Sequence, residues 1–338
     1  MRPCSLQYLV GVPHPPPSSK RRGRLLRFGA AVVVLLGLAG YLSVQYLTGG
    51  TGGPGCEVVS GKGDGASYRF TPEQAVNAAT IAAVGTGRGM PERAVTIALA
   101  TALQESALRN IDYGDRDSLG LFQQRPSQGW GSPEEIMDPA YSAGIFYEHL
   151  DKVPGYTRLP LTVAAQRVQR SGFPQAYAKH EPDATLLAAA LTGRSGATLA
   201  CRGRPGPTRT SGPDTVRAAL VRDFGRDVVQ EAGAEVGGKP SPTPTPSPVA
   251  SASGDGRTVT VPVPDDTADA GRGARQRGWQ LAHWAVANAS ALHIEQVSYG
   301  GWQWRAGMTD SRWRTTQSRG AAGAERAAGS VLITTTGR

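Results

Sequence analysis

The sequence predicts a mainly α-helical protein: one transmembrane helix, then an all-helical domain, then a small C-terminal α+β module. Three observations predict it. Residues 28–47 carry no charge and follow a basic flank. Residues 67–232 hold a series of helix starts and no alternating strand pattern up to residue 200. Residues 256–338, beyond a Pro-rich spacer, alternate apolar and polar positions in short runs. With 44 Gly and 25 Pro in 338 residues, one uninterrupted core is excluded.

At the N-terminus, residues 1–27 form a basic tail ending in Lys20-Arg21-Arg22-Gly23-Arg24-Leu25-Leu26-Arg27. Twenty uncharged residues, 28–47, rise about 30 Å as a helix, the thickness of a bilayer core. The basic flank precedes the span, so the tail is expected in the cytoplasm and the bulk of the chain outside, in a single-pass cell-membrane protein. A cleaved signal peptide is the alternative, but Tyr41, Gln45 and Tyr46 suit a small-x-small cleavage site poorly. Cys4 then faces the reducing side, while Cys56 and Cys201 lie outside and bracket one long segment. A disulfide between them would contribute roughly 4 kcal/mol on the loop-entropy model; two free thiols, or bonds to other chains, are the alternatives.

Residues 48–66 are Gly-rich and read as a linker to a helical domain at 67–232. Thr71-Pro72-Glu73-Gln74 is a helix start with a capping box, running to about Ala83. After the Gly85–Gly89 break, Pro91-Glu92 opens a helix to about Leu108 that is apolar on nearly every face, hence buried. Asp138-Pro139 starts another, to about Leu150. Leu161 to about Gln169 and Pro182 to about Leu191 also read as helices, and Asp214 to Val229 is amphipathic with Val216, Leu220, Phe224 and Val228 on one face. Pro at every second position from Pro240 to Pro248 makes 233–255 a semi-rigid spacer.

In the module at 256–338, Thr258–Val261, Glu295–Tyr299, Trp302–Trp304 and Val331–Thr334 read as strands, and Ala270 to Leu292 as a helix. Five of the six Trp lie here. Exposed Trp faces would stack on sugars, but Trp279 and Trp284 on a helix and Trp302 and Trp304 on a strand read better as core. His283 and His293 have no Cys or acidic partner at ligand spacing, so no metal is expected; nothing calls for another cofactor.

The formal charge of +9 does not signal nucleic acid. Six of the 36 Lys/Arg sit in residues 1–27 without an acid, which leaves 30 bases against 27 acids elsewhere, and the 31 Arg are scattered.

Glu105 stands out, in Ala102-Leu103-Gln104-Glu105-Ser106-Ala107-Leu108 near the end of the apolar helix. Thr101, Ala102 and Leu108, three and four positions away, offer no cation. Burial without a partner disfavours the carboxylate, so the pKa rises toward the range of a proton donor at neutral pH. The alternative is a frayed helix end with Glu105 in water.

Glu105-Ser106, a loop, then Gly120-Leu121-Phe122-Gln123 and Pro126 resemble, in order and spacing, the signature of the lysozyme-like soluble lytic transglycosylase family: Glu-Ser closing a buried helix, then Gly-Leu-Met-Gln and a Pro. The resemblance covers about residues 68–192. It implies a lysozyme-like fold for the helical domain and cleavage of the β-1,4 bond between N-acetylmuramic acid and N-acetylglucosamine in peptidoglycan. Glu105 would be the single catalytic acid/base, Ser106 its support, and Gly120, Leu121 and Gln123 the cleft wall. The family's third signature, an Ala-x-Tyr-Asn-Ala-Gly type segment, should fall near 164–171, where Tyr and Asn are absent; Gln169 or Gln166 would take over a substrate contact.

The loop Asp112–Ser118 adds carboxylates, and Asp115 or Asp117 could be the second acid that a hydrolysing glycosidase needs. An Asp-rich turn that caps its own amides and pairs with Arg116 is the preferred reading. The partners implied are peptidoglycan strands, the membrane through the N-terminal helix, and other cell-envelope proteins. The competing class is a catalytically inactive, lysozyme-like cell-wall-binding or scaffold protein.

Overall fold

Strand β1 (Gly55–Val59) pairs antiparallel with both β2 (Ser67–Phe70) and β3 (Leu199–Arg202), and Cys56 stands directly opposite Cys201 in the β1–β3 register. A disulfide joins these two cysteines. The computed structural model describes residues 54–203, 212–226, 256–263, 273–308, 311–316 and 329–336. The basic tail 1–27, the expected span 28–47 and the spacer 233–255 lie outside the described residues.

Two expectations are corrected. The domain is not all-helical: β1 occupies part of the stretch read as a Gly-rich linker, and it and β2 and β3 form a three-stranded sheet. These strands have four or five residues each, and β3 arrives from far along the chain, so little local alternation announces them. The single-pass membrane placement is not supported either. No helix among the described residues is long and apolar enough to cross a membrane. The longest of them has 16 residues, short of the roughly 20 a bilayer needs, and packs within the protein core.

That helix, α1 (Pro72–Gly87), starts where Thr71 Oγ1 accepts from Gln74 N while Gln74 Oε1 accepts from Thr71 N, a reciprocal capping box. Helix α2 (Glu92–Ser106) is buried from Ala94 to Leu103 and packs on α1 and on α6 (Glu181–Leu191). Between them come the short α3 (Pro133–Ile136), α4 (Pro139–Asp151), capped by Asp138, and α5 (Leu161–Gln169). Helix α7 (Pro213–Phe224) turns Val216, Leu220 and Phe224 inward; Val228 lies outside the described residues.

The C-terminal part forms a five-stranded antiparallel sheet from β4 (Thr258–Pro262), β5 (Ile294–Tyr299), β6 (Trp302–Arg305), β7 (Arg314–Thr315) and β8 (Ser330–Thr335), in the order β4-β8-β5-β6-β7. Helix α8 (Ala274–Ala287) lies between this sheet and the helical part, touching β5 and β8 on one side and α1, α6 and β3 on the other. Polar side chains stitch the seam. Trp284 Nε1 donates to Asp223 Oδ2 at 2.8 Å, Gln276 Nε2 to the Thr192 carbonyl at 3.1 Å, and Trp313 Nε1 to the Leu199 carbonyl at 2.8 Å. Trp279, Trp284, Trp304 and Trp313 are buried, so these rings serve packing, and Trp302 is half-buried.

Candidate functional site

Glu105 sits on the last turn of α2, which two strained residues and two α1 side chains keep from fraying. Ala107 and Leu108 both adopt left-handed backbone, with φ of 54° and 59°, and end the helix within one residue of Ser106. Their carbonyls are taken from α1: Gln74 Nε2 donates to Ala107 O and Asn77 Nδ2 to Leu108 O, each at 2.8 Å. These bonds tie the chain just past the helix end to α1. Arg109, four residues after Glu105, lies beyond this break, is exposed and makes no ion pair with it.

The Glu105 side chain is half-buried and meets two donors. Tyr177 Oη donates to Oε1 at 2.6 Å, and the Gln169 side chain also hydrogen-bonds the carboxylate. Burial raises the Glu105 pKa above 4.5, and the Tyr177 and Gln169 hydrogen bonds oppose that rise in part. Tyr177 is fully buried in a 3₁₀ segment, Pro174–His180. Its own pKa is pushed far up by burial and then by the Glu105 charge, so it remains a phenol and a donor.

Ser106 is buried, and its hydroxyl reaches the Leu121 carbonyl at 2.8 Å and the Ala102 carbonyl at 3.1 Å. It clips the helix end to the turn Leu119–Gln124, whose ends pair through Leu119 and Gln124. Gly120 has φ of 74°, and a Cβ there would stand 2.7 Å from the Ile136 carbonyl, so the turn admits only Gly. Leu121 and Phe122 are fully buried, and Phe122 stacks on Phe146 at 4.6 Å. The Leu121 side chain is therefore core and not cleft wall. The turn offers backbone toward Glu105: the Leu121 carbonyl for Ser106, and the Phe122 carbonyl, which accepts from Gln169 Nε2 at 2.7 Å. Gln123 is half-buried and braces the loop through the Tyr113 and Gly120 carbonyls at 3.3 Å.

The two further carboxylates do not join Glu105. Asp117 accepts from Arg125 Nε at 2.8 Å and from Ser127 N at 2.9 Å, and the Ser127 hydroxyl and amide, then Arg125, hold its carboxyl well below the usual range. It pins the loop to the 3₁₀ turn Pro126–Gln128, with Arg125 in the role expected for Arg116. The Asp115 side chain is exposed and makes no hydrogen bond or ion pair among the described residues.

Sequence reasoning missed Tyr177, because the third signature was sought at 164–171. Ala176-Tyr177-Ala178, just beyond that window, places a tyrosine between small residues and was the available signal. Gln74 and Asn77 were also missed. Nothing in the α1 pattern distinguishes an amide that will bind a distant helix end.

Residues 221–326 match the family model of the VldE C-terminal domain. The match begins in the last turn of α7 and takes in β4, α8 and β5 to β7; Glu105 and its neighbours lie outside it. No curated protein matches the chain.

Proposed function

We propose that this chain cleaves the β-1,4 bond between N-acetylmuramic acid and N-acetylglucosamine in peptidoglycan, with Glu105 as acid and then base. The observation that carries the reading is the Glu105 environment: a half-buried carboxyl, raised in pKa by burial, held at a fixed helix end by Tyr177 and Gln169 with no cation paired to it among the described residues. Protonated Glu105 gives its proton to the glycosidic oxygen as the bond from the muramyl anomeric carbon breaks. The resulting carboxylate then takes a proton from the group that attacks that carbon.

Asp117 is committed to Arg125 and Ser127, so a single carboxyl serves the bond. That favours attack by the muramyl 6-hydroxyl and a 1,6-anhydro product over hydrolysis, which would need a second acid such as Asp115 to activate water. The Cys56–Cys201 disulfide suits an oxidising compartment, where peptidoglycan lies. Mass spectrometry of digested peptidoglycan tests the reading. Muramyl ends lighter by one water are expected, and none with Glu105→Gln. If neither anhydro nor hydrolysed ends form, the reading is wrong.

The absence of Tyr and Asn at 164–171 favours a second reading, a glycan-binding scaffold without turnover. It would be supported by glycan retention that survives Glu105→Gln in a parent that cleaves nothing.

A further inference from the structure

Next to Gln169 lies an open cleft of about 780 Å³. Its lining holds three cations, Lys152 at the end of α4 and Arg167 and Arg170 at the end of α5, and no carboxylate. All three are exposed, and none makes an ion pair or side-chain hydrogen bond among the described residues. Of the acids on α4, Glu148 is engaged by Arg88 at 3.2 Å, and exposed Asp151, next to Lys152, lies outside the lining and acts on Tyr156. One wall of the cleft is flat: the Trp130 ring stacks on His149 with centroids 4.2 Å apart. The His149 pKa is lowered by burial first, then by Lys152, with Arg170 adding to the effect and Glu148 opposing it, so two of the cations act on one imidazole. Arg170 closes α5 with φ of 51°, a left-handed conformation that a non-glycine residue seldom adopts.

The cleft shares one residue with the surroundings of Glu105. Gln169 lines the cleft, donates to the Phe122 carbonyl and hydrogen-bonds Glu105. A glycan whose scissile oxygen reaches Glu105 would therefore bring its neighbouring substituents over Lys152, Arg167 and Arg170. Guanidinium groups pair with planar or tetrahedral oxyanions, often two bonds at a time.

We infer that this cleft seats an anionic substituent of the glycan, a carboxylate of the peptide stem or a phosphate on a muramyl sugar other than the one whose 6-hydroxyl attacks. The inference rests on the glycan-cleaving reading of Glu105 and makes the chain selective for substituted over neutral strands.

The test uses the full chain carrying Glu105→Gln, so that ligands persist, and calorimetric titration with three oligosaccharides of equal length. One is a neutral chitin oligosaccharide, one a muramyl glycan bearing the peptide stem, and one a stem-free glycan bearing a muramyl 6-phosphate with its lactyl carboxyls converted to amides. The stem-bearing or the phosphorylated ligand should bind about tenfold tighter than the neutral one, about 1.4 kcal/mol, and whichever gains identifies the oxyanion. Adding Arg167→Gln and Arg170→Asn should collapse that ratio to less than about threefold, roughly 0.6 kcal/mol. Asn tolerates the left-handed backbone at position 170, and both residues are exposed, so these variants should fold; far-UV circular dichroism checks this. Equal binding of all three ligands, or a ratio that survives the double substitution, overturns the inference. If the parent chain still releases anhydro ends, only the cleft assignment falls; if it neither cleaves nor binds any glycan, both readings fall.

Discussion

His283 makes the seam between the helical part and the C-terminal sheet sensitive to acid. Its ring is fully buried on α8, with Nδ1 2.8 Å from the Ala190 carbonyl and Nε2 3.3 Å from Thr198 N. A carbonyl can only accept and an amide N–H can only donate, so Nδ1 carries the proton and Nε2 accepts from Thr198. A second proton on Nε2 would face that N–H with no partner. Burial accordingly lowers the pKa from 6.5 to about 4, against the opposing Ala190 hydrogen bond. Between these values the unfolded chain binds more protons than the folded one. The stability that His283 contributes is complete above 6.5 and is lost as the pH falls toward 4. The loss should reach about 2 kcal/mol near pH 5 and about 3 kcal/mol near pH 4. Guanidinium unfolding of the parent and of His283→Gln, at about pH 7 and about pH 5, isolates this contribution, because other groups titrate alike in both chains. The variant should be weaker by about 1–3 kcal/mol at neutral pH, through the Ala190 and Thr198 groups it leaves unpaired. The gap should narrow by about 2 kcal/mol at the lower pH. A gap that stays constant would refute the buried neutral imidazole.

Glu105→Gln should leave the fold intact and at least as stable at pH 7. The Glu105 pKa is raised above 4.5, so ionisation costs stability at neutral pH, and the gain should vanish well below 4.5 in thermal melts at the two pH values. Tyr177→Phe removes a donor that favours the carboxylate, so the limb of the pH–rate profile set by Glu105 should move to higher pH; an unmoved limb would mean that Tyr177 does not act on Glu105. Gly120→Ala sets a Cβ 2.7 Å from the Ile136 carbonyl at φ of 74° and should cost about 1–3 kcal/mol in denaturant unfolding. Replacing Cys56 and Cys201 together by Ser should cost about 4 kcal/mol, and a reductant should destabilise the parent equally but not the variant.

Helix starts were legible because their signals are local. Thr71 with Gln74, and Asp138 before Pro139, are caps that act within three or four residues, and both make the expected hydrogen bonds. The sheet β2-β1-β3 was not legible, because β1 gains its meaning from Cys201 and its neighbours at the far end of the domain. The same distinction holds at the site. Glu105 was found because an acid in an apolar helix breaks a local rule, whereas Tyr177 reaches it from a separate segment. Leu121 was misassigned because a motif gives positions and not the direction of a side chain, and this one is fully buried in the core.

The backbone around Glu105 departs from local preference more than its surroundings do. Of the eight described non-Gly residues with left-handed φ, Ala107 and Leu108 follow Glu105, Gln123 closes the turn clipped by Ser106, and Arg170 follows Gln169. Each such residue costs about 1 kcal/mol or more, and persists only where the surroundings hold it. Here they do: Gln74 and Asn77 hold the carbonyls of Ala107 and Leu108, and Ser106 and Gln169 hold those of Leu121 and Phe122. A sequence selected only for stability would place Gly at these bends and an apolar residue at 105. A half-buried acid with several left-handed bends in the segments that converge on it fits the chemistry proposed for Glu105, at the expense of stability.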